Sequence, residues 1–390
     1  MLGGVLGGLL GFLVSGSPCP AAPLGESGPF HSYISEGIEE VFAGRFPRAL
    51  EICDQIVAMD PDSPVGHFYR GATYWWMYLI DPEDEEVGRH VEENLRLAIE
   101  RGNARLKTDP DDVEALFYLG GAYGFRARYR ILETRWWGAA WDGKKAKELL
   151  EKVSALRPDW IDANLGLGMY NYYVDVLPKY FQILRVVAFI PAGDRDKGLR
   201  QLRLAMREGT YTRSEAQFFL LDIMKDHEKD YVTALQLTRD LARRYPENPF
   251  FPLMKVLIFV NHLGRWREAI AALEDLLARL DGSSFLFADD VRVRARYYLA
   301  KAHFFRGDNA RALAEFESLV ADDPDGPEWV VAWTHLRMGQ IHDMEGRREA
   351  ARTHYRRVLK MKAYGKTHGA AKRWMREPFE GWQPRNEFRK

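Results

Sequence analysis

The chain has 390 residues, 46% of them hydrophobic and 13% aromatic, enough to fill a large core and too many for wholesale disorder. Its 55 Lys and Arg offset 56 Asp and Glu, so it lacks the net basic field of a dedicated nucleic-acid binder. Two cysteines, Cys19 and Cys53, build neither a disulfide framework nor a thiolate metal site.

Residues 1–30 differ in kind from the rest. Leu2 to Val14 is apolar and rich in Gly and Leu, and a Ser/Pro/Ala stretch holding Cys19 follows. An apolar core too short to span a bilayer, then small residues, reads as a secretory signal. No Lys or Arg precedes the core, and Pro18 stands directly before Cys19. The segment is therefore expected to be a signal peptide or a disordered leader. A periplasmic or secreted location is expected, with a cytoplasmic one as the alternative.

From residue 34 the chain repeats itself. Ala49 and Pro61, Ala98 and Pro110, Ala146 and Pro158, Ala234 and Pro246, and Ala312 and Pro324 share one interval of 12 residues. A bulky or small apolar residue follows four after the Ala at Cys53, Leu150, Thr238 and Phe316. Two copies lack the Pro: Gly264 with Ala269 and Leu273, and Gly346 with Ala351 and Tyr355. The small residues let two helices approach closely, and the Pro ends the second one. A partner pattern precedes them, complete in Leu116, Leu119, Gly120 and Tyr123 and partial at Gly71, Gly168 and Gly339.

These residues resemble the tetratricopeptide repeat family over roughly residues 34 to 363. The resemblance implies an all-α, right-handed superhelical solenoid of helix pairs. Three successive units are long: Tyr74 to Ala98 counts 24 residues, Tyr123 to Ala146 counts 23, and Asn171 to Gly198 counts 27. Extra material is therefore expected between their helices, including an added helix near Val174–Ala192 and three tryptophans, Trp136, Trp137 and Trp141. The expected organisation is elaborated repeats over 31–210, ordinary repeats over 211–364 and a basic tail over 365–390. A second resemblance, to the inclusion-body-clearance tetratricopeptide family, rests on Gly168-Met169-Tyr170-Asn171, Leu177-Pro178, Phe189 and Gly193-Asp194-Arg195. It implies a shared variant repeat and an adaptor role.

No catalytic motif is present: there is no HExxH, GxSxG or GxxxxGK[ST]. Asp194 and the acidic run Asp109–Asp112 fit helix starts, where carboxylates cap the backbone and favour the dipole. No enzyme activity, cofactor or metal is expected.

Function then rests on surface. Helix phase puts Trp75, Trp76, Phe117, Phe125, Tyr172 and Tyr173 on the concave side of the long units, with Lys301, Phe304, Phe305 and Trp333 further on. Two readings fit an aromatic stripe at this spacing: a partner-binding groove, or an internal core under the inserted helices. A clamp for peptide carboxylates would show Lys, Arg and Asn there instead. The leading function is a scaffold binding a protein or peptide partner, in the cell envelope. The alternative is a carrier holding a lipid-like molecule in an aromatic cavity. The tail, with 11 basic residues from Arg356 to Lys390 against three Glu, is either a solvated capping end or a contact for anionic membrane surfaces.

Overall fold

The computed structural model describes residues 30–177, 190–322 and 327–381, and every regular element among them is helical. Among the described residues the helices arrange as eight successive pairs. They are α1 (His31–Ala43) and α2 (Phe46–Met59), α3 (Pro64–Ile80) and α4 (Glu85–Thr108), α5 (Val113–Leu132) and α6 (Trp136–Leu156), and α7 (Ala163–Asp175) and α8 (Arg195–Glu208). The later pairs are α9 (Arg213–Asp226) and α10 (Tyr231–Arg244), α11 (Phe250–Ile258) and α12 (Trp266–Leu280), α13 (Ala288–Arg306) and α14 (Asn309–Ala321), and α15 (Glu328–Met344) and α16 (Arg348–Lys360). Helix α17 (Thr367–Arg376) caps the array. Each helix packs chiefly on its successor, and first helices of neighbouring pairs also meet, as α3 does α5 and α13 does α15.

Local chemistry sets the helix ends. Side-chain oxygens of Ser63, Asp84, Asp112, Asp194, Asp230 and Asp308 accept from first-turn N–H groups, satisfying donors the helix leaves open. Gly44, Gly264 and Gly307 close helices at φ of 82°, 60° and 89°, where a Cβ would be strained.

The crossings inside each pair depend on small residues. A Cβ on Gly120 would stand 2.9 Å from Leu150, and one on Gly339 2.4 Å from Tyr355. At Gly168 the obstacles are the Leu202 side chain at 2.8 Å and backbone, the Gly198 carbonyl and the Leu202 amide both at 3.0 Å. The repeat alanines Ala49, Ala98, Ala234, Ala269, Ala312 and Ala351 are all fully buried. Cys53 is likewise core, and burial pushes its thiol up to about 12, far from the reactive thiolate.

The long units differ from expectation. The extra residues of the second and third pairs do not form separate inserts. They lengthen the helices themselves, to 24 residues in α4 and 21 in α6, while the turns stay short. Trp136, Trp137 and Trp141 thus sit in the first turns of α6. The helix expected within Val174–Ala192 falls mostly outside the described residues, as does the leader.

The coil also closes on itself. The Phe42 ring meets Tyr245 and Phe251, and its carbonyl accepts from the Asn248 amide at 2.8 Å. Arg45 pairs with Glu247, and Arg244 with Glu39. Phe46 packs on Phe285 and Phe287. Farther on, Arg294 donates to the Ile80 carbonyl, and Tyr364 to Glu83. The first pair therefore docks on the loops before α11 and α13, residues some two hundred positions away in sequence.

In the last pair, His335 Nδ1 and His354 Nδ1 lie 3.0 Å apart, and His342 stacks on His354. Burial, then a neighbouring histidine, holds the pKa of both His335 and His354 down to about 4. Unfolded imidazoles titrate near 6.5, so between about pH 4 and 6.5 the unfolded chain binds more protons than the folded one. Stability in that window therefore rises with pH and is lost as pH falls. Calorimetry should give a lower Tm at pH 5 than at pH 7, and His335→Gln with His354→Gln should narrow the gap. A second expectation concerns the crossing of α7 on α8. Gly168→Ala gains up to about 1 kcal/mol in helix propensity but forces backbone apart, typically about 1–3 kcal/mol. The variant should unfold at lower denaturant than the parent.

Candidate functional site

The six aromatic residues singled out by helix phase are present on the inner side of the coil, but they do not form an open wall. Trp75, Trp76, Phe117, Phe125 and Tyr172 are at most 8% exposed, and Tyr173 is half-buried. Trp75 meets Trp76 and Phe125 edge-on. Phe117 turns instead to Trp160, and Tyr172 and Tyr173 lean on each other and on His227. Among the described residues, part of their cover comes from the closure of the coil. Phe218 of α9 sits 4.6 Å from Trp76, Phe219 sits 6.1 Å from Trp75, and Phe42 of α1 lies 5.0 Å from Trp76. Of the two readings of the stripe, groove or internal core, the described packing of these rings is that of a core.

A cavity of about 90 Å³ remains under α1, bounded by Tyr33, Phe42, Trp76, Phe117 and Phe125. Gly124 opens onto free space: a Cβ there would have nothing within 4 Å. One wall is the Arg128–Glu215 pair at 2.9 Å, with the guanidinium 3.9 Å over the Phe219 ring. Burial raises the Glu215 carboxyl and Arg128 opposes that shift, so the pair needs no ligand. A space of this size holds a few waters, each taking about 10–15 Å³.

The later repeats carry a different constellation. After α11 the helix widens into a π-helical turn, Phe259–Leu263, that presents Asn261. Such turns recur at functional positions. Asn261 Oδ1 accepts from Lys301 Nζ at 2.9 Å. Lys301 lies over the Phe305 ring at 5.9 Å, and Arg337 of α15 lies over the same ring at 5.0 Å. Phe304 and Trp333 complete a cage at 5.4 and 5.5 Å from the Arg337 guanidinium.

Arg337 is only 7% exposed, and among the described residues no carboxylate pairs with it. Its Nη1 donates to Gln340 Oε1 at 2.8 Å. Its Nε, the Gln340 amide nitrogen and the Thr334 hydroxyl have no hydrogen-bond partner. Burial raises the neighbouring Tyr297 phenol, which therefore stays neutral and supplies no countercharge. Burying an unpaired charge costs several kcal/mol, and three aromatic faces return about 0.5–2 kcal/mol each at best. An anion beside Arg337 would satisfy its charge and the unused donors around it.

The helix-phase count includes Lys301 and Trp333 and stops short of Arg337, which lies four residues after Trp333 on the same stripe. Asn261 is missed because the π-helical turn shifts the phase. Asn, Lys and Arg, the residue types absent from the early stripe, thus stand on three successive first helices of the later one. Among the described residues no group of three or more His, Cys, Asp or Glu is placed to hold a metal ion.

A family model described as tetratricopeptide repeat matches residues 262–327. No curated protein sequence matches the chain. Among solved structures it is similar to the human IFIT1 dimer with m7Gppp-AAAA, at 12% identity and TM-score 0.45 over 89% of this chain and 84% of that one. Yeast Tom70 aligns at 12% identity and TM-score 0.41 over 88% and 89%. Rap protein complexed with Competence and Sporulation Factor aligns at 13% and 0.39 over 87% and 77%.

Because Trp76 is core, Trp76→Ala should cost about 3–5 kcal/mol of stability, the usual range for a buried aromatic. Denaturant titration checks this. A loss below about 1 kcal/mol, within the range of ordinary surface changes, would mean the ring is not packed as described.

Proposed function

We propose that this chain, which belongs to the tetratricopeptide repeat proteins, is a non-catalytic scaffold that receives a carboxylate-bearing segment of a protein partner at Arg337 and Lys301. The observation that carries the reading is the buried guanidinium of Arg337, caged by rings and, among the described residues, without a carboxylate partner. Bidentate guanidinium–carboxylate pairing is among the stronger charge-assisted contacts. The same geometry serves a chain terminus or an Asp or Glu side chain. The apolar segment Leu2–Val14, which reads as a secretory signal, supports a cell-envelope location.

The alternative is a carrier for a lipid-like molecule, and the cavity under α1 is what favours it. Its about 90 Å³ is small beside ligand sites of about 300–1,000 Å³. Such a cargo therefore requires α1 to lift away from Tyr245 and Asn248.

Arg337→Met separates a ligand site from a structural role. Replacing an unpaired buried charge by an apolar side chain should leave stability unchanged or raise it. Affinity for partner peptides should nonetheless fall by about 2 kcal/mol or more, on the order of thirtyfold. An array of peptides with free and amidated C-termini, probed with parent and variant, reads both the site and the terminus preference. Equal binding of both chains to every peptide would remove the proposal.

A further inference from the structure

The turn between α5 and α6 is exposed over all of residues 131–137, yet it is built of large apolar side chains. Ile131 and Leu132 end α5, and Trp136 and Trp137 begin α6. Trp137 and Trp141 are 65% and 60% exposed. Contiguous apolar surface of this kind marks an interaction site rather than chance.

The turn is held stiffly. Thr134 adopts φ of 57°, a left-handed conformation that a β-branched residue rarely takes and that persists only when its surroundings impose it. The Arg135 amide donates to the Arg130 carbonyl at 2.7 Å, and Thr134 to Ile131 at 3.0 Å. Beneath the turn, the fully buried Asp142 of α6 receives Arg126 in two bonds of 2.8 Å and Arg130 in one of 2.7 Å. Tyr78 at the end of α3 holds Glu133, and Arg135 reaches Glu92 of α4. A rigid apolar tip loses little conformational freedom on docking.

The tip segment itself is net positive, whereas the neighbouring α3–α4 turn and the start of α4 carry Glu83, Glu85 and Glu86 at the surface. Residues 126–147 contain seven Lys or Arg and two acids, Glu133 and Asp142, both of them engaged as just described. The C-terminal end reaches the same end of α3. Tyr364 donates to Glu83 in the α3–α4 turn, and Lys360, Lys362 and Lys366 around it are exposed. From Arg356 to Arg376 there are eight Lys or Arg and no Asp or Glu.

We propose that the α5–α6 tip and the basic stretch around Tyr364 together seat the protein on an anionic lipid bilayer surface. Tryptophan suits the bilayer interface because its ring is apolar and its N–H still finds water or headgroups. Lysines beside it meet lipid phosphates. One apolar anchor alone holds weakly, and an anchor with a basic patch holds more firmly. No helix among the described residues is long and apolar enough to cross a membrane, so the contact is peripheral. It involves none of the residues of the Arg337 site.

The test is flotation of the full chain with vesicles of phosphatidylcholine alone, or mixed with phosphatidylglycerol. The parent should float with the mixed vesicles, and added salt should weaken that binding. Trp137→Ala with Trp141→Ala should lower it at least tenfold with Tm unchanged, because both rings lie on the surface. Lys360→Glu, Lys362→Glu and Lys366→Glu should abolish the preference for anionic lipid. A parent that floats with neither vesicle overturns the proposal, as does a tryptophan variant that floats like the parent. A concentration-dependent dimer lost in that variant, without vesicle binding, would assign the tip to a second copy of the chain.

Discussion

The contact of Trp76 with Phe218, extended by Phe42 against Tyr245 and Phe251, decides what the remaining surfaces are free to do. An open helical solenoid keeps its concave face in solvent, and aromatic residues there wait for a partner. Here the first helix pair folds back onto the fifth and sixth, and the concave face of the early repeats becomes core. Each edge-on ring contact adds about 0.5–1.5 kcal/mol beyond the area it buries. Releasing that face to a partner would forfeit several such contacts at once, so its rings serve the protein's own packing first.

Binding capacity is thereby displaced to two other places. Inside the later repeats, Thr334, Arg337 and Gln340 carry polar atoms for which the described residues supply no hydrogen-bond partner. On the outside, Trp137 and Trp141 carry apolar surface that the fold leaves uncovered. The two suit different chemistry, since a buried guanidinium selects an anion by charge and geometry, while a rigid tryptophan edge selects an apolar interface by area.

The repeat was legible because its causes are local. Alanine at a helix crossing, glycine where a Cβ meets a neighbour, and aspartate at a helix start each act within a few residues, and Gly120, Gly168, Ala312 and Asp194 could be placed from sequence. The closure was not legible. Phe42 and Asn248 are far apart in sequence, and nothing local to either specifies that they meet. Helix phase correctly put Trp75 and Trp76 on the inner side, but phase alone does not distinguish a groove from a core. The long second and third units were counted correctly and interpreted wrongly. An interval reports how many residues are added, whereas Gly88, Val91 and Leu95 of α4 show where they go, into a helix that keeps its buried stripe over its extra turns. A lone arginine on a helix, such as Arg337, reads as surface until its burial is known.

Closure also changes how stability is shared. In a linear array each repeat contacts only its neighbours, and damage stays near its origin or spreads stepwise. In this chain Arg45 with Glu247 and Asn248 with Phe42 join the first pair to the loop before α11, and Tyr364 with Glu83 joins the end of the array to the turn after α3. The ion pairs are exposed and contribute little by themselves. The buried amide bond from Asn248 and the ring contacts around it are the stronger links, because leaving a buried donor unpaired costs about 1–3 kcal/mol. Opening at α1 therefore weakens α11 as well as α2, and the middle of the array is protected from both ends. The same links fix the α3–α4 turn between the tip at α5–α6 and the basic stretch near Tyr364, which keeps those two surfaces on one rigid body.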